Sequence, residues 1–180
     1  MKYLSETYTS ISDLMFKLED VFLAEGWTID FAGVVSGNIV KRLHISKPGM
    51  HFSLADFDKT SFGLDRYIDV RACEGFDGAL SHETQPGDSG TSIHLTAGLS
   101  GVYHLMLDGS GVVLVLEYES NTFSSVLFGL SDVIVPGTGG QYLSGDEASE
   151  YSSTERKLPF SYWKNGAVKV ACSEYTKFMK

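Results

Sequence analysis

The chain has 180 residues, 43% of them apolar and 21% charged, which is enough for one domain with its own core and no need of a staple. A formal net charge of -9 repels phosphate backbones and argues against direct nucleic-acid binding. No run approaches the roughly 18 apolar residues of a membrane span, and the opening MKYLSETYTS holds no signal-peptide core, so the expectation is a chain made in a cytosol, with no membrane partner.

Residues 1–9 read as a short polar lead. Ser10 then offers a helix cap, with Asp13 three residues on, and Ile11, Leu14, Met15, Leu18 and Phe22 recur at helical spacing. This predicts a helix over Ile11–Ala24, stopped by Gly26. Phe16 and Leu23 lie off that stripe. They mark a second, smaller face directed to the core or to a partner subunit, with the core as the expected destination. Residues 27–31 begin a sheet, and residues 33–37 turn. Residues 38–46 form a strand setting Ile39, Leu43 and Ile45 against Lys41, Arg42 and His44. Pro48-Gly49 turns the chain into a strand at Met50–Phe57, and residues 56–64 loop. Residues 66–73 alternate Tyr67, Asp69 and Arg71 with Ile68, Val70 and Ala72, the pattern of a half-buried strand.

Residues 74–92 are turn-rich and without periodicity. A loop of that length in a small domain is usually functional, which makes it the first candidate interface. Gly101–Leu107, residues 112–118 and residues 122–130 form an antiparallel meander, turning at Asp108-Gly109-Ser110-Gly111 and at residues 119–121. Pro136-Gly137-Thr138-Gly139-Gly140 breaks regular structure and the polar residues 144–156 continue the break. Residues 136–156 are thus expected to be an extended arm, the second candidate interface. Residues 157–163 and 167–172 make a last strand pair joined by Asn165-Gly166. The fold class is α+β: one domain, 1–180, with an amino-terminal helix packed on a mainly antiparallel sheet or sandwich.

The residues offer little reactive chemistry. His44, His51, His82, His94 and His104 include no pair at the i, i+4 helical spacing of a zincin, and strand or surface histidines are the better explanation. His51 could meet Asp56 and Asp58 across a turn. His82-Glu83 could supply a general base, but no nucleophile elbow accompanies it. The Gly137-Thr138-Gly139-Gly140 run lacks the lysine and helix of a phosphate loop, and Asp108-Gly109-Ser110-Gly111 lacks the spaced carboxylates of a calcium loop. Asp56, Asp58, Asp65, Asp69 and Glu117 could form a carboxylate pair, with Glu117 most simply read as an acid at a sheet rim. Cys73 and Cys172 have no metal spacing and are expected to be buried free thiols. Tyr142 and Tyr151 lie in the arm, where no core needs them, and are candidate anchors for a partner. No catalytic residue, metal ligand or cofactor is expected.

Phe128-Gly129, followed by Gly139-Gly140-Gln141-Tyr142 and Gly145, resembles a family of tailed-bacteriophage virion structural proteins. The resemblance extends to a helix ending in Gly26-Trp27 and to the loop motif Gln85-Pro86-Gly87-Asp88-Ser89. It continues with Tyr103 ahead of the hairpin and the valine-rich residues 112–123. It covers about two-thirds of the chain in order. It departs at Gly101-Val102, where the family commonly carries proline before the aromatic, and it does not reach the carboxy-terminal third. The resemblance implies an assembly component of a virion, synthesised in the host cytoplasm, in the tail or baseplate, with the neck second. Partners would be tail tube, sheath or baseplate subunits and further copies of the chain. Candidate interface residues are Gln85, Pro86, Gly87, Gly139, Gly140, Tyr142 and Tyr151. The alternatives are a glycan-binding module of a tail spike or fibre, a neck or tail-completion protein and, last, a hydrolase.

Overall fold

The computed structural model describes residues 1–34, 39–58, 66–88, 92–120, 122–131, 140–145, 160–162 and 170–171. In chain order the elements are β1 (Lys2–Tyr8), α1 (Ile11–Ala24), β2 (Thr28–Gly33), β3 (Ile39–Lys47), β4 (Met50–Phe57) and β5 (Tyr67–Cys73). There follow β6 (Ser92–Thr96), β7 (Gly101–Leu107), β8 (Gly111–Glu119), β9 (Thr122–Ser131), β10 (Gly140–Gly145), β11 (Phe160–Tyr162) and β12 (Val170–Ala171). They form two antiparallel sheets: seven strands in the order β1-β7-β8-β9-β10-β11-β12, and five in the order β2-β3-β4-β5-β6. This is the α+β class expected. No helix among the described residues is long and apolar enough to cross a membrane.

The helix forms where its stripe predicts. Ser10 caps it by accepting from the Asp13 amide at 3.0 Å, and Gly26 leaves it at φ 74°. Ile11, Leu14, Met15, Leu18 and Phe22 are all buried in one core shared with both sheets. At its centre Phe52 of β4 meets Phe128 of β9 with ring centroids 4.7 Å apart, and Trp27 and Phe22 close around them. The meander β7-β8-β9 is as predicted. Its first turn is held by the Asp108 carboxylate, which accepts from the amides of Ser110 and Gly111.

Several expectations are corrected. The polar lead is a strand: β1 pairs along its whole length with β7, from Lys2 opposite Leu107 to Tyr8 opposite Gly101. Both its faces are largely solvated, so no apolar alternation announced it. Phe16 and Leu23 do not enter the core but are 57% and 62% exposed. Residues 140–145 are not part of an arm. They pair with β9 on one side and β11 on the other, because tertiary pairing overrides the poor strand propensity of a glycine-rich segment. The rest of the expected arm, with Gly139 and Tyr151, lies outside the described residues, as does Cys172. Residues 74–88 carry a single 3-10 turn, His82–Thr84, and fold back over the five-stranded sheet. Finally, β3 and β5 are buried on both faces rather than one.

Candidate functional site

The second buried face of the five-stranded sheet is polar. On the core side lie Leu43, Ile45, Phe52, Leu54, Ile68, Val70, Ile93 and Leu95. Strand periodicity therefore sends Arg42 and His44 of β3, His51 and Ser53 of β4, Asp69, Arg71 and Cys73 of β5, and His94 of β6 to the opposite side. A bulge in β2 adds to them. Ile29 pairs with Ile45 but Phe31 with His44, so the extra residue, Asp30, and Phe31 both come to lie on that polar side.

Residues 74–88 cover this face. The Glu74 amide donates to the Pro86 carbonyl at 2.8 Å and closes the base of the loop. Gln85 organises its interior, its Nε2 donating to the carbonyls of Asp77, Leu80 and Ser81 while its Oε1 accepts from the Asp77 amide. Gly87 holds φ 64°, and a Cβ there would stand 2.2 Å from Glu74 Cγ. Gln85-Pro86-Gly87 is thus the closure of the loop. The Gln85 side chain is buried and spends its polar atoms inside it, while Pro86 and Gly87 remain exposed. Phe76 lies on the sheet, 4.9 Å from the His44 ring and 6.0 Å from Phe31. The Arg42 guanidinium packs near both phenyl rings and donates Nη1 to the Leu80 carbonyl at 2.9 Å.

Beneath the loop the polar groups fall into two sets. In the first, His82 enters between strands. Its Nε2 donates to Asp69 Oδ2 at 2.9 Å and its Nδ1 faces Ser53 Oγ at 2.8 Å. Asp69 also accepts from Arg71 Nε at 2.8 Å and lies 3.2 Å from His94 Nε2; Arg71 extends to Asp88 at 3.3 Å. Burial alone would raise the Asp69 carboxyl. The hydrogen bonds from His82 and His94 and the charges of His82 and Arg71 outweigh it and hold the group well below the usual carboxylate range. Serine, imidazole and carboxylate stand in the order of a nucleophile, base and orienting acid. Ser53 is completely buried, however, and in this arrangement the chain of bonds fastens the loop to β4 and β5.

The second set is Asp30, His44 and His51, with Cys73 beside them. One ligand atom from each of the three lies within 4.8 Å of the other two. His44 is fully buried, and burial pushes its imidazole down to about 4, so the ring is neutral at pH 7. Burial likewise pushes the free Cys73 thiol up to about 12, which makes it a thiol rather than a thiolate. These are the residues able to hold a cation. Their positions in three different strands conceal them from any search by sequence spacing. β3 and β4 carry one histidine each, which gives no signal of its own.

Other sequence candidates are dispersed. His51 does not meet Asp56, which is buried on the helix side and held by Arg66 at 2.6 Å and Ser12 at 3.3 Å. Glu83 is exposed while its neighbour His82 is buried. Glu117 is half-buried on the outer side of the seven-stranded sheet, 3.8 Å from His104. Gly140 and Tyr142 sit in β10, opposite Ser131 and Gly129. Gln141, between them, was missed as a functional residue. It bridges the two sheets, accepting from the His51 amide at 2.7 Å and donating to the Cys73 carbonyl at 2.9 Å.

The outer side of the seven-stranded sheet is different in kind. Register places Tyr3, Met106, Val113 and Leu127 side by side across β1, β7, β8 and β9, and none of the four is buried. Phe123, two rows away, is 44% exposed. No protein-family model and no curated protein sequence matches the chain.

Proposed function

We propose that the protein is a structural component of a bacteriophage virion, in the tail or baseplate, that acts by binding neighbouring subunits. The observation that carries this reading is the apolar row Tyr3–Met106–Val113–Leu127, which ends at β1, an edge strand of seven residues. An apolar row exposed at Tyr3 and half-buried at Met106, Val113 and Leu127 suits a packed subunit contact, and an edge strand adds backbone groups ready to pair with another chain. The ordered motifs that resemble virion structural proteins point the same way. The acidic balance of the chain keeps such a protein soluble before it is incorporated.

The test is a double variant, Met106→Lys with Val113→Lys, in the middle of the row. Both side chains point away from the core, so the melting temperature should stay close to that of the parent. Particles assembled with the variant should lack it, and its self-association by light scattering should fall. Normal incorporation of a folded variant would overturn the reading.

A further inference from the structure

We propose that Asp30, His44 and His51 form a binding site for one first-row divalent metal ion, zinc being the best match to the donor set. This inference is independent of the assembly reading. It begins from three atoms. Asp30 Oδ2, His44 Nδ1 and His51 Nδ1 are each shielded from solvent, and each is without a hydrogen-bond partner. Buried polar atoms are normally paired; eight side-chain atoms among the described residues are not, and three of those eight fall here. The three belong to residues whose ligand atoms converge within 4.8 Å, with His51 Nδ1 3.9 Å from Asp30 Oδ2. Ligand atoms around a tetrahedral zinc stand roughly 3.3 Å apart, given bonds of about 2.0–2.1 Å, so closure needs side-chain shifts of about an ångström or so.

The surroundings act as an outer shell. His44 Nε2 lies 4.0 Å from Cys73 Sγ, and a proton on that nitrogen leaves the Nδ1 lone pair free for the metal. The Cys73 thiol in turn donates to the His51 carbonyl at 3.6 Å, and Gln141 holds the His51 amide. Phe76 covers His44 on the loop side. Two imidazoles and one carboxylate suit zinc, cobalt or nickel, whereas magnesium and calcium prefer an all-oxygen shell. Three protein ligands leave the fourth position of a tetrahedral ion to a water or another exogenous ligand. The Arg42 guanidinium packs near Phe31 and Phe76 beside His44, and its charge favours an anionic ligand at the ion's remaining position.

The test uses the full 180-residue chain, stripped with EDTA and titrated with zinc chloride by calorimetry and with cobalt chloride by visible absorption. One equivalent should bind, with cobalt d–d bands of a four-coordinate site and a rise in melting temperature. Asp30→Asn and His51→Ala, at partly exposed positions, should each weaken binding by at least about tenfold while remaining folded. His104→Ala, on the other sheet, should leave it unchanged. Absence of saturable binding, or binding that survives both Asp30→Asn and His51→Ala, would overturn the proposal.

Discussion

His82 Nε2 lies 2.9 Å from Asp69 Oδ2, and this contact locks the loop of residues 74–88 onto the five-stranded sheet. Both residues are buried, so neither can exchange its partner for water. Removing the imidazole takes one donor from a buried carboxylate and leaves Ser53 without its partner. His82→Ala should therefore destabilise the fold by about 1–3 kcal/mol, the cost of leaving buried polar groups short of a hydrogen-bond partner. Urea unfolding measures the loss, and hydrogen exchange should rise within residues 74–88. Unchanged exchange there would mean the loop is held by other contacts.

The same carboxyl makes stability depend on acid. Asp69 is held below its unfolded value, so between the two the unfolded chain binds the additional proton. Its contribution is present above about pH 4 and is lost as pH falls towards its folded value. Melting temperature should drop steeply below about pH 4. In Asp69→Asn that acid dependence should flatten, at a lower starting stability.

Alkali acts through two tyrosines. Tyr8 and Tyr103 are each pushed up to about 12, mainly by burial. Stability is complete below about pH 10 and falls as pH rises to 12, because the unfolded chain loses protons that the folded one retains; the loss is roughly 2–3 kcal/mol per tyrosine. The Tyr8 hydroxyl is buried without a partner. Tyr8→Phe should therefore be neutral or slightly stabilising at pH 7, and should shallow the alkaline fall in a pH series of thermal melts.

Gly87 and Glu74 cannot both carry side chains in the present geometry. An alanine Cβ at 87 would lie 2.6 Å from Glu74 Cβ as well as 2.2 Å from its Cγ, at a positive φ. Gly87→Ala should lower stability by about 1–2 kcal/mol. Gly109→Ala, where nothing lies within 4 Å, should change it by less than about 0.5 kcal/mol. Chemical denaturation of the two variants side by side checks the contrast.

Lys41 explains the exposed Phe16. Its ammonium is buried, 2.6 Å from Glu19 Oε2 and 3.2 Å from the centre of the Phe16 ring. Glu19→Ala should cost about 2–3 kcal/mol because it strands a buried cation. Phe16→Ala should cost about 1 kcal/mol, more than its exposure alone suggests. Equal and negligible effects in thermal melts would show that Lys41 simply turns out to solvent.

What the sequence determined by itself is the local architecture. Ile11, Leu14, Met15, Leu18 and Phe22 declare a helix because 3.6-residue periodicity is a property of one segment alone. Asp108-Gly109 declares a hairpin because turn chemistry is equally local. The tertiary structure alone decided everything that depends on which strands become neighbours. It made residues 2–8 a strand through backbone pairing with β7, and it drew residues 140–145 into a sheet despite their glycines. It also buried the side of β3 and β5 that alternation had assigned to water, because a loop without periodicity folds over it. Asp30, His44 and His51 meet for the same reason. Strand pairing, a bulge and the 74–88 cover bring together three residues whose spacing along the chain carries no signal.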